Sequence, residues 1–136
     1  MERKLGSILL IDDDQSTNFL HEIIIKKSEI TDTIYTYQCA EEALEFLREK
    51  DLDNKFPQPD LIFLDINMPR MNGWEFLEVY NQLPEEQKGQ IVVVMLTTSV
   101  NPDDRKRAEA LNLVNGFRSK PLSVEMINEI YDEHFA

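Results

Sequence analysis

The feature that most constrains this chain is an alternation of short apolar runs with segments whose apolar residues recur at helical spacing. Ser7–Ile11, Leu61–Leu64 and Ile91–Leu96 have almost no polar interruption. A strand with one wet face alternates apolar and polar residues; these do not, so both of their faces must be covered. Between them lie segments of period 3.6: Phe19, Leu20, Ile23, Ile24 and Lys27; then Ala40, Ala43, Leu44 and Leu47; then Trp74–Gln82. Asn101 reads as an N-cap with Pro102 at the first helical position, Asp103 and Asp104 favour the positive helix end, and that helix is expected to run to about Leu113. Val124, Ile127, Ile130 and Tyr131 form the inner face of a last helix. Thr33–Gln38 and Val114–Arg118 supply two further strands. Five strands alternating with five helices predict a doubly wound three-layer α/β sandwich, because parallel neighbours need helical crossovers.

At 136 residues, with no internal repeat or Gly/Ser linker, the chain is expected to form one domain over residues 1–136, its core spanning about 7–134. Its apolar run Ile8–Ile11 falls well short of a signal-peptide core, and no stretch reaches the 18 or so apolar residues that a membrane span needs. A cytoplasmic protein without a membrane partner is expected. Cys39 is the only cysteine, which excludes an internal disulfide and a thiolate metal cage and leaves a small buried hydrophobe as its role. The net charge of −12 repels phosphate backbones, so direct nucleic-acid binding is not expected.

In sheets of this kind sites form at the carboxyl ends of the strands. The residues there are Asp12, Asp13 and Asp14 after the first strand, Asp65 after the third, Thr97 and Thr98 after the fourth, and Lys120 after the fifth. Converging carboxylates repel one another unless a positive charge sits among them. Mg²⁺ meets that need, since it takes one or two carboxylates, waters and a phosphate oxygen. Lys120 adds a fixed cation and Thr97 a hydroxyl, a set suited to a phosphoryl group rather than to zinc or iron. Asp65 stands alone at the end of an apolar strand and is the candidate nucleophile for an aspartyl phosphate. Each residue also has a plainer role taken singly: Asp13 or Asp14 could cap the first helix, Asp65 and Thr97 could be ordinary strand ends, and Lys120 a solvated lysine before a turn proline. Four compatible groups at four strand ends of one sheet argue for the joint role.

These residues resemble the receiver domain of two-component response regulators, from about Ser7 to His134. The resemblance rests on Ile8–Asp14, on Asp60–Pro69 with Gly73, on Met95–Thr98 and on Ser119–Leu122, in the family's order. It implies a flavodoxin-like fold and phosphorylation of Asp65 by a histidine kinase or a phosphotransfer protein. It further implies Mg²⁺ held by Asp12, Asp13, Asp65 and the backbone carbonyl of Asn67, with Thr97 and Lys120 on the phosphoryl oxygens. It also implies a cis peptide before Pro121, and a lifetime of the phosphorylated form partly set by Asn67, Thr98 and Ser99. Phosphorylation would draw Thr97 inward and move Phe117, and output would run through the face of the fourth helix, fifth strand and fifth helix to a separate protein or a second copy. Phe117 stands where the family often has tyrosine, so a hydroxyl-mediated part of that switch is absent. Sixteen residues follow Lys120, and no output domain is expected.

A haloacid-dehalogenase-type phosphatase also uses an aspartate nucleophile with threonine, lysine and acidic metal ligands. That family places the nucleophile first and follows it two residues later with a second aspartate; here the acidic pair comes first and Asn67 holds the later position. A flavin binder is disfavoured because three aspartates after the first strand would repel a cofactor phosphate. A degenerate receiver that is never phosphorylated is the remaining alternative. Beyond self-phosphorylation and autodephosphorylation, no enzymatic activity is expected.

Overall fold

A computed structural model describes residues 4–88, 91–98, 101–111 and 113–135. The elements run β1 (Ile8–Ile11), α1 (Gln15–Ser28), β2 (Ile34–Tyr37), α2 (Ala40–Arg48), β3 (Leu61–Asp65), α3 (Gly73–Asn81), α4 (Glu85–Lys88), β4 (Val92–Thr97), α5 (Pro102–Ala110), β5 (Gly116–Ser119) and α6 (Val124–His134). The strands form one parallel sheet in the order β2-β1-β3-β4-β5.

The apolar runs are buried on both faces. Leu9, Ile11, Ile62, Leu64, Val93 and Met95 pack with α2, α3 and Ala108 of α5, whereas Ile8, Leu10, Leu61, Phe63, Val94 and Leu96 pack with Ile25 of α1 and with Ile127, Ile130 and Tyr131 of α6. Each fully buried Leu, Ile or Phe is worth about 1.5–3 kcal/mol, so β1 and β3 carry much of the stability. Ala40, Ala43, Leu44 and Leu47 form the buried stripe of α2, as expected. The expected cap of α5 is also present, with the Asn101 side chain accepting from the Asp103 N–H and Pro102 opening the helix.

The structure corrects several sequence expectations. There is an additional short helix, α4, between α3 and β4. Helix α5 stops at Ala110, short of Leu113, where the Leu111 N–H turns back to the Ala108 carbonyl. Strand β5 begins at Gly116 and not at Val114, because Asn115 meets Val93 through both its backbone N–H and its side-chain oxygen. The largest difference is the inner face of α1. Phe19, Leu20 and Ile23 are 64%, 45% and 38% exposed, and the buried residues are Asn18, His21 and Ile25. Hydrogen bonds turn this helix: Asn18 donates to the Asp12 and Tyr37 carbonyls, and His21 accepts the Leu122 N–H. Buried polar groups with partners hold a face that apolar periodicity assigns to the other side.

Candidate functional site

Register brings the acidic groups together. Strands β1 and β3 are neighbours, with Ile11 opposite Leu64, so Asp12 and Asp65 emerge side by side. One carboxylate oxygen from each of Asp12, Asp13 and Asp65 lies within 4.8 Å of the others. Asp12 and Asp65 are buried and Asp13 is exposed, which leaves the cluster one open side. Asp14 belongs elsewhere: it is the N-cap of α1, accepting from the Ser16 N–H and the Thr17 hydroxyl.

Lys120 closes the group from β5. Its ammonium lies 2.6 Å from Asp12 Oδ2 and 3.1 Å from Asp65 Oδ1. Burial works against the Lys120 charge, but its hydrogen bonds to the two carboxylates outweigh that and raise its pKa. At Asp65, burial and then the Asp12 charge push the pKa up to about 6, against the pull of Lys120 and of the Asn67 N–H. At neutral pH Asp65 is therefore mostly ionised, but held as an anion in an unfavourable place. Three carboxylates against one ammonium leave an excess of two negative charges, which a divalent cation would neutralise. The donor set is all oxygen, as a hard cation requires.

Thr97 ends β4, is buried, and accepts the Lys120 N–H at its carbonyl. Asn67 reaches Asp65 through its backbone N–H while its side chain is exposed. The Lys120–Pro121 peptide is cis. Phe117 is half-buried on β5 with the Arg105 guanidinium 5.2 Å above its ring. Thr98 is exposed at the end of β4, and Ser99 lies outside the described residues. Gly73 is needed where the loop after β3 folds back: a Cβ there would sit 2.6 Å from the Asp65 carbonyl oxygen.

Sequence reasoning missed Asn18 and His21, which tie α1 to the strand ends around the site. Their signal was available, because Asp14, Asn18, His21 and Ile25 recur at helical spacing, but it was carried by polar residue types.

A parallel five-stranded sheet with an acidic cluster, a lysine and a threonine at its carboxyl edge defines a phosphoacceptor class of α/β domain. Residues 8–132 match the response regulator receiver domain, and the chain belongs to that family, the receivers of two-component signalling. Among its relatives is the response regulator Rcp1 of Synechocystis, 35% identical over 97 residues; the match covers 71% of this chain and 65% of that protein, just under two thirds of its length. A two-component response regulator from Cytophaga hutchinsonii superposes with a TM-score of 0.87 at 36% identity, over 96% of this chain and 97% of that one. The manganese-bound form of Rcp1 superposes with a TM-score of 0.73 at 31% identity, over 93% and 92% of the two chains. Among the described residues no helix is long and apolar enough to cross a membrane.

Proposed function

We propose that Asp65 accepts a phosphoryl group from a phosphohistidine on a histidine kinase or phosphotransfer protein. Mg²⁺ is the metal of this reading, held by Asp12, Asp13, Asp65 and the Asn67 carbonyl. The observation that carries it is the meeting of three carboxylates with the Lys120 ammonium at the end of β3. A manganese-bound form of the relative Rcp1 supports a divalent cation.

In the transfer an Asp65 oxygen attacks phosphorus in line, the P–O bond forms as the P–N bond breaks, and the electron pair leaves with the imidazole nitrogen. Bound Mg²⁺ supplies charge neutralisation on the phosphoryl oxygens. Lys120 moves from pairing with Asp65 to pairing with a phosphoryl oxygen, keeping its contact with Asp12. Thr97 offers its hydroxyl to a second oxygen. The exposed apolar stripe of α1, on the helix that Asp14 caps, would give a protein donor a surface on which to dock.

Output runs through α5, β5 and α6 to a separate protein, with Thr97 and Phe117 as the moving parts. The basic residues of that face are partly engaged inside the molecule: Arg105 lies over Phe117, Arg107 over Trp74 at 4.5 Å, and Arg118 pairs with Glu129 at 3.8 Å. Rearrangement of Phe117 would thus release or reposition Arg105, coupling the switch to the charge displayed.

Incubation with acetyl phosphate should label the protein once, only with Mg²⁺ present, in an acid-stable and base-labile linkage; Asp65→Asn should abolish it. Equal labelling of the Asn variant would remove Asp65 from the role.

A further inference from the structure

We infer that His21 is a positioning residue for phosphoryl transfer, acting through the loop that carries Lys120; the inference rests on the reading of Asp65 and Lys120 given above. His21 is 1% exposed on the inner face of α1, and its Nε2 accepts the N–H of Leu122 at 3.3 Å. Lys120, Pro121 and Leu122 form the start of the loop between β5 and α6. The Lys120 N–H donates to the Thr97 carbonyl at 2.8 Å, Pro121 has no N–H to place, and the Leu122 N–H goes to His21. The loop is therefore pinned on both sides of the proline, once by β4 and once by α1, and the Leu122 side chain is itself buried.

Helix α1 is fixed in turn by Asn18, one turn before His21 on the same face, which donates to the Asp12 carbonyl at 2.9 Å and the Tyr37 carbonyl at 3.2 Å. A closed circuit results. The Asp12 backbone holds Asn18, one helical turn leads to His21, His21 holds Leu122, and Lys120 returns to the Asp12 carboxylate and to Asp65. A buried imidazole is costly unless bonded, and a leucine would pack there more cheaply. What leucine lacks is an acceptor for the Leu122 N–H, a donor that burial would otherwise leave unmet.

An accepting Nε2 places the ring proton on Nδ1. Burial keeps the ring neutral, with the nearby Asp12 charge opposing and the Lys120 charge reinforcing that preference. Without the hydrogen bond the loop gains freedom, and the ammonium is less often held against Asp12, within reach of the phosphoryl oxygen it must meet.

The test is a cycle of variants read by acetyl phosphate labelling rate and by Mg²⁺ affinity from Trp74 fluorescence. His21→Leu should slow labelling about fivefold, the scale of one net hydrogen bond, and leave Mg²⁺ affinity unchanged. His21→Gln, whose Oε1 can accept the same N–H, should recover most of the rate. In a Lys120→Met background His21→Leu should have no further effect. A wild-type rate for His21→Leu, no recovery by His21→Gln, or an equal loss in the Lys120→Met background would overturn the inference while leaving Asp65 and Lys120 in place. If Asp65→Asn still labels, or Lys120→Met labels at the wild-type rate, the underlying site reading fails and takes the inference with it. Should His21→Leu not fold, ¹⁵N NMR of the wild type decides: an unprotonated Nε2 coupled to the Leu122 amide supports the assignment, and a protonated Nε2 refutes it.

Discussion

At the scale of single residues, Asp65 links chemistry to stability. Its pKa is raised to about 6 in the folded protein, from 3.8, chiefly by burial and the Asp12 charge. A raised folded pKa means that its contribution is fully present below about pH 4 and is lost as pH rises through about 6. In EDTA, Asp65→Asn should therefore melt higher than wild type at pH 7.5, with the gap closing as pH falls through that window; a gap independent of pH would contradict the strain at Asp65. Asp13 and Asp14 separate along another line. Asp13 belongs to the carboxylate cluster and Asp14 to the cap of α1. Asp13→Ala should weaken Mg²⁺ about tenfold or more, on the scale of lost ligand-shell groups, at little cost in melting temperature. Asp14→Ala should lower the melting temperature and leave Mg²⁺ affinity close to wild type. Titrations followed by Trp74 fluorescence, with thermal melts alongside, check both.

At the scale of elements, α1 shows where reading a sequence succeeds and where it stops. Its existence after the first strand follows from periodicity, and Asp14 was one of the two caps the sequence offered for it. Its rotation does not, because Asn18 and His21 face inward for the sake of hydrogen bonds to groups distant in the chain, the Tyr37 carbonyl and the Leu122 N–H. Phe19, Leu20 and Ile23 are turned outward as a consequence. The strand-end residues were legible for the opposite reason: Asp12, Asp65 and Thr97 each follow an apolar run whose end punctuation is local, and Lys120 stands at the end of a short strand before Pro121, so all four could be placed before their distances were known. The exposed stripe carries a prediction. Phe19→Ser with Ile23→Ser should slow phosphorylation by a cognate protein donor at least about tenfold, the loss expected when apolar anchors of an interface are removed. Labelling by acetyl phosphate should stay unchanged, since the small donor needs no docking surface. Equal slowing with both donors would place the effect in the fold.

At the scale of the whole molecule, the site and the proposed output face share one sheet and meet on β5, which carries Phe117 and leads into Lys120, with β4 and its terminal Thr97 alongside. Phosphorylated and unphosphorylated protein should therefore differ in partner capture or in mass measured in solution. Arg105→Glu with Arg107→Glu should reduce that difference, both by reversing charge and by removing the cations over Phe117 and Trp74. A phosphorylation-dependent change that survives the double reversal would move the output elsewhere. The sheet order has one more consequence, for the chain as a circuit that can be opened. The loop at 51–59 holds none of the groups at the acidic edge, yet it separates Asp12 and Asp13 from Asp65, Thr97 and Lys120. A nick there would leave two fragments, each with an incomplete set, and β1 lies between β2 and β3, so the cluster can re-form only when the fragments pair along the β1–β3 seam. Divalent-metal affinity would then report directly on whether two halves of one polypeptide had found each other.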